Sequence, residues 1–231
     1  ELPKPPEGKS GWPWIEESPP LPDLMADGSA WPRISIVTPS YNQGEYLEET
    51  IRSVLLQGYP NLEYMIFDGG SNDQSLEIIK KYEPWLEYWS SESDRGQSHA
   101  INKGWKKSTG DILAWLNSDD VYKSGAFNKV AEFASKTPVG IIYGDCDIIN
   151  TKSEYVATYK APRPSLRFFY RLWSGWKGKY NISQPSTFFD KELLDRTGFL
   201  REHYHYAMDY DLILRASLKG HFNFIDSKLA F

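Results

Sequence analysis

Short apolar segments alternate with amphipathic ones from residue 33 to about the middle of the chain. Residues 34–38 are mostly apolar and stop before Pro39, which predicts a short buried strand. Residues 45–57 carry apolar side chains at helical spacing and end at Gly58, which predicts an amphipathic helix. By the same criteria, strands are predicted at 62–67, 86–90 and 112–116, and helices at 73–82 and 98–107. This alternation predicts an α/β fold with a mostly parallel sheet and right-handed crossovers.

The rest of the chain has a different pattern. A helix is predicted at 126–135, and the two longer strands after it, 140–149 and 155–159, are suited to antiparallel pairing. The predicted strands are 140–149, 155–159, 186–189 and 222–225, with a short helix after the third and a longer one at 209–219. We find no internal repeat and no second core in the sequence. Residues 33–231 are therefore predicted to form one domain with two functional halves, 33–123 and 124–231.

Residues 1–32 precede this domain and differ from it in composition. They contain eight prolines, which argue against a helix or a central strand. They also contain Trp12, Trp14 and Trp31, and disordered tails are usually poor in aromatic residues. We therefore predict an extended arm whose indole rings dock on the domain.

Composition excludes several classes of protein. The formal net charge is −5 and lysines and arginines form no cluster, which argues against nucleic acid as a partner. Cys146 is the single cysteine, which excludes a disulfide framework or a cysteine-rich zinc site and fits a reducing compartment. The sequence has no apolar run long enough for a transmembrane helix and no signal-peptide layout at its start. We expect a cytoplasmic protein.

Four predicted strands are followed by polar segments, at 38–42, 68–71, 92–95 and 117–120. The carboxyl ends of parallel strands form the edge of the sheet where ligands bind, so the shared polarity predicts a nucleotide-type site. The adjacent carboxylates of Asp119 and Asp120 follow an apolar run and suit Mg²⁺ or Mn²⁺ carrying phosphate oxygens. The alternative is that Ser118 or Asp119 caps a helix beginning near Ser124.

Six motifs occur in a recognisable order, at 36–42, 67–71, 94–96 with 102–104, 116–120, 184–188 and 208–212. Together they resemble glycosyltransferase family 2, over about residues 33–226. The resemblance implies the GT-A (Rossmann-like) fold, with helices flanking the sheet and a small antiparallel portion on the acceptor side. It also implies Mn²⁺ or Mg²⁺, a nucleotide-sugar donor, and a saccharide or lipid-linked saccharide acceptor. A lipid-linked acceptor leaves open a peripheral attachment to the inner membrane face.

The resemblance assigns the donor site to particular residues. It implies a nucleoside cradle formed by Thr38, Pro39, Tyr41 and Asp68. It adds contacts to phosphate, base or sugar from Arg95, Gln97, Asn117 and Ser118. Two alternatives stay open: Asp68 could be a turn residue before two glycines, and Arg95 could form a surface pair with Asp94.

The metal site implied by the resemblance departs from the family pattern. Asn117 stands where the DxD motif has its first carboxylate, and its amide can still hydrogen-bond a hydroxyl. Asp119 would be the main metal ligand with Asp120 nearby, while His203 and His205 are further candidates that could equally be structural or exposed residues.

The resemblance also places the catalytic base and the acceptor side. Asp209 aligns with the base that takes the proton of the attacking hydroxyl, and Met208 replaces an acidic neighbour. The alternative for Asp209 is a helix N-cap. Trp173, Trp176 and Gln184 are the acceptor-side candidates, although the loop that carries the two tryptophans could instead pack locally.

We therefore predict an inverting glycosyltransferase that uses a nucleotide-diphosphate sugar, a UDP-sugar in particular. One rival is a sugar-phosphate nucleotidyltransferase, but residues 39–44 lack the basic residue of its phosphate loop. The other rival is a binding protein for carbohydrates or nucleotide sugars that has lost catalysis. Asn117 and Met208 are the features that keep this second rival open.

Overall fold

The computed structural model describes residues 1–165, 168 and 182–231. These residues contain an eight-stranded sheet flanked by helices. The elements of the first half are β1 (Ile34–Ser40), α1 (Gly44–Leu55), β2 (Leu62–Asp68), α2 (Ser75–Tyr82), β3 (Tyr88–Ser91), α3 (Gln97–Lys107) and β4 (Ile112–Trp115). Those of the second half are α4 (Ala126–Ala134), β5 (Gly140–Ile149), β6 (Tyr155–Tyr159), β7 (Thr187–Asp190), α5 (Lys191–Thr197), α6 (Met208–Ala216) and β8 (His221–Ala230).

The strand order is β3-β2-β1-β4-β7-β5-β6, with β8 paired to β5. The first four strands are mutually parallel, whereas β7 is antiparallel to both β4 and β5. Strands β5 and β6 pair in the predicted antiparallel arrangement, and β8 runs parallel to β5. The predicted fold class is confirmed. Because β1 to β4 share one direction, the polar segments after them meet at one edge of the sheet.

Most predicted elements lie within two or three residues of the observed ones, and the largest difference is at β8. The sequence predicts a strand at 222–225, but β8 continues to Ala230 because it keeps pairing with β5 through two register shifts. A smaller difference is at α2, which begins at Ser75 rather than at 73. The Asp73 carboxylate accepts the N–H groups of Gly44 and Ser75 and so holds a turn ahead of that helix.

Large side chains fill the core on both faces of the sheet. On the face covered by α1, α2 and α4, Tyr64 and Phe127 are completely or almost completely buried. On the face covered by α3, α5 and α6, the rings of Trp105 and Trp115 meet edge to face with centroids 5.4 Å apart. In the described ranges, no helix is long and apolar enough to cross a membrane.

The N-terminal residues 1–32 contain neither helix nor regular strand and lie against the domain as an arm. Trp14 and Trp31 are buried, and the Trp12 indole N–H donates to the carbonyl of Tyr122 at 2.8 Å. The predicted docking of these rings is thus confirmed. The arm also contacts α1, where the buried Arg52 guanidinium donates to carbonyl groups of the arm.

Candidate active site

A cleft of about 620 Å³ lies at the edge of the sheet where the parallel strands end. It is formed by the residues that end or follow β1, β2, β3 and β4 and by the start of α3. The sequence-predicted residues that line it are Pro39, Tyr41, Gln97, Asn117, Ser118 and Asp119. Other predicted residues, namely Thr38, Asp68, Arg95, Asp120 and Asp209, are not among the described lining residues.

Tyr41 and Asp94 both approach Gly69 in the lining of the cleft. A Cβ atom on Gly69 would lie 3.2 Å from the Tyr41 ring and 3.3 Å from Asp94 Oδ2, so glycine allows both side chains to approach the backbone this closely. Tyr41 is 63% exposed, which leaves its ring available to a planar ligand. Asp94 Oδ1 accepts the N–H of Gly96 at 2.7 Å and is thereby fixed in place.

Sequence reasoning did not assign a binding role to Asp94 or to Ser40. Ser40 is buried at the end of β1, lines the cleft, and its Oγ has no hydrogen-bond partner among the described residues. An unpartnered buried hydroxyl in a cleft can be satisfied by ordered water or by a bound ligand. Both residues belong to the polar segments after β1 and β3, which was the signal available in the sequence.

Asp68 is buried and its carboxylate is used within the protein. Asp68 Oδ2 accepts the N–H groups of Gly70 and Ser71 at 3.1 and 2.8 Å and the Ser91 hydroxyl at 2.7 Å. The Ser71 hydroxyl donates to Asp68 Oδ1. These contacts match the turn role that the sequence left open, since they hold the loop that carries Gly69 into the cleft.

Thr38, which precedes the cleft residues of β1, is also turned away from the cleft. Its side chain is buried, and its hydroxyl lies 3.0 Å from the Tyr64 hydroxyl inside the core. Pro39 is the next residue and does line the cleft. Of the predicted nucleoside cradle, the structure therefore brings Pro39 and Tyr41 to the cleft and keeps Thr38 beneath it.

The amide of Asn117 joins three parts of the fold. Its Oδ1 accepts from Gln97 Nε2 at 2.6 Å, and its Nδ2 donates to Asp120 Oδ2 and to Gln184 Oε1, both at 3.0 Å. Gln184 in turn donates to the Trp115 carbonyl at 2.8 Å. An aspartate has no N–H to offer at this position, so the departure from the family pattern has a physical reason.

The two adjacent carboxylates of the acidic turn lie in different surroundings. Asp119 is exposed and lines the cleft. The pKa of the Asp120 carboxyl is raised to about 7, chiefly by burial and also by the nearby charge of Asp119, while the Asn117 hydrogen bond opposes both. The capping alternative is wrong, because α4 begins at Ala126 after Gly125 and no side chain caps it.

Asp209 is the second residue of α6, and the start of this helix lies against the start of α3. The Ser98 hydroxyl is 2.7 Å from the Met208 sulfur, and Gln97, next to Ser98, lines the cleft. Burial raises the pKa of the Asp209 carboxyl, although hydrogen bonds from the backbone N–H groups of Tyr210 and of Asp209 itself lower it. Ala207 occupies the N-cap position, so the N-cap alternative for Asp209 is wrong.

The remaining predicted residues lie around the cleft. Arg95 pairs with Glu202 at 2.7 Å rather than with Asp94, and so links the start of α3 to the loop before α6. His203 and His205 are exposed in that same loop. Within the described ranges, no group of three His, Cys, Asp or Glu side chains is arranged to hold a metal ion by itself. Trp173 and Trp176 lie outside the described residues.

The sequence profile of Glycosyl transferase family 2 matches residues 35–198. The chain belongs to glycosyltransferase family 2. It is 30% identical over 191 residues to an uncharacterized glycosyltransferase of Mycobacterium tuberculosis, which covers 81% of this chain and 70% of that protein. It is also 36% identical over 105 residues to TuaG of Bacillus subtilis, which is named for teichuronic acid biosynthesis, with 44% and 42% of the two chains covered.

Solved structures of glycosyltransferases share this fold. S. aureus TarS superposes on 86% of this chain with a TM-score of 0.70 and 19% identity. A second TarS structure, in complex with UDP-GlcNAc, gives 0.69 at 22% identity with the same coverage. The mannosyltransferase PcManGT of Pyrobaculum calidifontis, in complex with GDP-Man and Mn²⁺, covers 93% of this chain with a TM-score of 0.61 at 21% identity. This chain spans only 36% to 59% of the length of these proteins.

Proposed function

We propose that the chain transfers a sugar from a nucleotide-diphosphate sugar, preferably a UDP-sugar, to an acceptor hydroxyl with inversion at the anomeric carbon. The observation that carries the proposal is the cleft itself, whose lining brings together Tyr41, Asp94 and Asp119. TarS, which has the same fold, has been solved with UDP-GlcNAc and with UDP. Membership of the family supports the same reaction class.

The nucleoside would bind in the part of the cleft beside Gly69. The exposed Tyr41 ring offers a face on which a planar base can stack, and stacking of this kind is tolerant of base identity. The Asp94 carboxylate can accept from a base N–H, as acidic groups do from nucleobase donors. In this proposal Asp94, rather than Asp68, accepts the hydrogen bond from the base. The oxygens of Asp68 already accept hydrogen bonds from the loop after β2 and from Ser91.

The diphosphate would lie at Asp119 together with a divalent cation. The exposed carboxylate of Asp119 is a hard oxygen ligand of the kind that Mg²⁺ and Mn²⁺ prefer. Magnesium is usually held by one or two carboxylates plus substrate phosphates, so the lack of a three-residue cage among the described residues fits such a site. When bound, the ion would neutralise charge that develops on the departing diphosphate. Its identity, Mn²⁺ or Mg²⁺, is part of the proposal.

Asp209 would act as the base. Its carboxylate takes the proton of the acceptor hydroxyl, the acceptor oxygen bonds to the anomeric carbon, and the electron pair of the broken C–O bond leaves with the diphosphate. Burial raises the pKa of Asp209, which makes the carboxylate a better proton acceptor than an exposed one. The acceptor would be a saccharide or a lipid-linked saccharide, approached in a cytoplasmic setting or at the inner membrane face. Trp173 and Trp176 stay acceptor-side predictions, whereas Gln184 holds Asn117.

Asp209→Asn tests the reaction class and the base together. Removal of a general base lowers kcat by about 10²- to 10⁴-fold, so we expect this loss for the variant while calorimetric UDP binding stays at the wild-type level. Asp195→Asn is the matched control, because Asp195 lies exposed on the neighbouring α5 and pairs only with Lys191 among the contacts described. The assay is a panel of nucleotide sugars with Mn²⁺ and mixed saccharide acceptors. Unchanged turnover in Asp209→Asn refutes the base, and UDP binding without turnover of any donor by the wild type favours the binding-protein rival.

A further inference from the structure

Residues 121–125 leave the acidic turn, and we name them the exit segment. Backbone hydrogen bonds tie this segment to the end of β8, from the Lys123 N–H to the Leu229 carbonyl and from the Phe231 N–H to the Val121 carbonyl. Two further elements, α1 and the N-terminal arm, also hold it. Helix α1 holds the exit segment and the residue before it from one side. The Thr50 hydroxyl donates to the Asp120 carbonyl at 2.8 Å, and the Ser53 hydroxyl accepts the Tyr122 N–H at 3.1 Å. Gln57, which follows the end of α1 by two residues, donates to the Lys123 carbonyl at 2.9 Å. The backbone after Asp119 is thus fixed to a helix that itself carries no ligand contact in the proposed function.

The N-terminal arm holds the same segment from a second side. The Trp12 indole N–H donates to the Tyr122 carbonyl at 2.8 Å. The Ser18 hydroxyl accepts the Gly125 N–H at 2.9 Å and lies 3.0 Å from the Ser124 hydroxyl. Both residues are more than 100 positions away in sequence from the groups they contact, so only the folded arm brings them there.

The arm is itself fastened to α1 rather than resting loosely on the surface. The Arg52 side chain is buried, and its guanidinium donates to the Pro3 and Pro13 carbonyls at 2.8 and 3.1 Å and also to the Trp14 carbonyl. The backbone N–H of Ser18 donates to the Leu56 carbonyl at 2.9 Å. These bonds hold the arm before Trp12, just after Trp12, and at Ser18 itself. The arm therefore presents the Trp12 and Ser18 side chains in a fixed position.

We propose that the N-terminal arm, which lies outside residues 35–198 matched by the family profile, positions the acidic turn for binding of the metal-bound diphosphate. Trp12 and Ser18 are its positioning residues, and they act on Asp119 through the exit segment. The inference rests on the proposed role of Asp119. A carboxylate that holds a cation between itself and a phosphate must be placed to within a fraction of an ångström, and a backbone held by the arm as well as by α1 and β8 supplies that placement.

Trp12→Phe tests the proposal with a matched control in the same arm. Phenylalanine keeps an aromatic ring at position 12 and removes the indole N–H bond to Tyr122. Trp31→Phe removes an indole N–H bond of the same length, 2.8 Å, but that bond ends on the Pro22 carbonyl, within the arm. Ser18→Ala is a second test that leaves Trp12 intact.

Two measurements read out the variants, and neither needs turnover. The first is hydrogen exchange of the amides at 117–125, which reports the mobility of the turn in the absence of ligand. The second is calorimetric binding of UDP in Mn²⁺ and in EDTA. Loss of one hydrogen bond corresponds to about a fivefold change in an equilibrium constant, so Trp12→Phe and Ser18→Ala are expected to bind UDP about fivefold more weakly in Mn²⁺ and to be unchanged in EDTA. Both are also expected to exchange faster at 117–125, whereas Trp31→Phe changes neither quantity.

The possible results separate the inference from the proposed function. If the wild type binds UDP more tightly in Mn²⁺ and Trp12→Phe and Ser18→Ala behave like Trp31→Phe in both measurements, the role of the arm is refuted and the proposed function stands. If the variants exchange faster at 117–125 but bind UDP as the wild type does, the arm holds the segment without positioning a ligand site, and the proposal is wrong. A wild-type chain that binds no UDP in either buffer refutes the proposed function itself.

Discussion

Asn117→Asp is the substitution that most directly tests the hydrogen-bond network of the acidic turn. The side chain keeps its size, and the acceptor for Gln97 remains, but both N–H donors disappear. The new oxygen would face Asp120 Oδ2 and Gln184 Oε1 across contacts that are now 3.0 Å hydrogen bonds. Gln184 cannot reverse its amide without giving up its bond to the Trp115 carbonyl.

The magnitude follows from these two contacts. A neutral hydrogen bond contributes about 1 kcal/mol to stability and one to a charged group about 1.5–3 kcal/mol. Loss of both should therefore lower the free energy of unfolding by about 2.5–4 kcal/mol above the pKa of Asp120. At lower pH the loss of unfolding free energy should be smaller, because a proton shared between the introduced carboxylate and that of Asp120 replaces the lost hydrogen bond between residues 117 and 120.

The pH dependence has a defined sign. The Asp120 pKa is raised from 3.8 to about 7 in the folded chain, so its ionisation reduces stability as the pH rises through that window. A second carboxylate raises the Asp120 pKa further and extends the loss to higher pH. Urea unfolding at pH 5, 6.5 and 8 in EDTA measures the effect, with Asn72→Asp, at an exposed position, as the control. Equal stability of Asn117→Asp and wild type at pH 8 would refute the network as the reason for asparagine.

Two further predictions concern the neighbouring carboxylates. Asp119→Asn should abolish the gain in UDP affinity that Mn²⁺ provides over EDTA, as measured by calorimetry; a gain equal to that of the wild type would remove Asp119 from the metal site. Asp147 is buried, which by itself raises its pKa, but hydrogen bonds and charge from Lys123 and Lys228 and the Thr158 hydroxyl outweigh burial and hold the pKa at about 2. The free energy of unfolding of the wild type should therefore fall as the pH drops from about 4 to 2. Asp147→Asn should be less stable than the wild type at neutral pH, and its stability should change less between about pH 4 and 2. Acid unfolding followed by circular dichroism measures both effects.

Much of the parallel half of the fold could be predicted because its signals are local. The strand at β1 and the helix at α1 are each set by apolar spacing within one segment and by a proline or glycine at its end. Strand β8 was predicted too short because Asp226 and Lys228 interrupt its apolar pattern. Its continuation depends on pairing with β5, far away in sequence.

The candidate site was less accessible from the sequence, for a related reason. The acidic turn and the glycines after β2 are visible as motifs, but the contacts of each side chain depend on distant partners. The need for an amide at Asn117 depends on its contacts with Asp120 and with the distant Gln184. The choice between Asp68 and Asp94 depends on which carboxylate is already hydrogen-bonded to the loop after β2. The role of Asp209 as the base stays a prediction. Its neighbour Met208 contacts Ser98 of α3, but Asp209 itself is not among the described residues that line the cleft.

The loop held by Asp68 has a consequence for the kinetics of ligand capture. Its four hydrogen bonds from Gly70, Ser71 and Ser91 are complete before any ligand arrives, so this wall is preorganised. If the nucleoside binds beside this loop as proposed, no free energy is spent on ordering the loop, which favours fast association. A substitution of Ser91, which lies on the neighbouring strand β3 and holds Asp68, should therefore change the affinity for the nucleoside as much as a substitution of a residue that contacts the base.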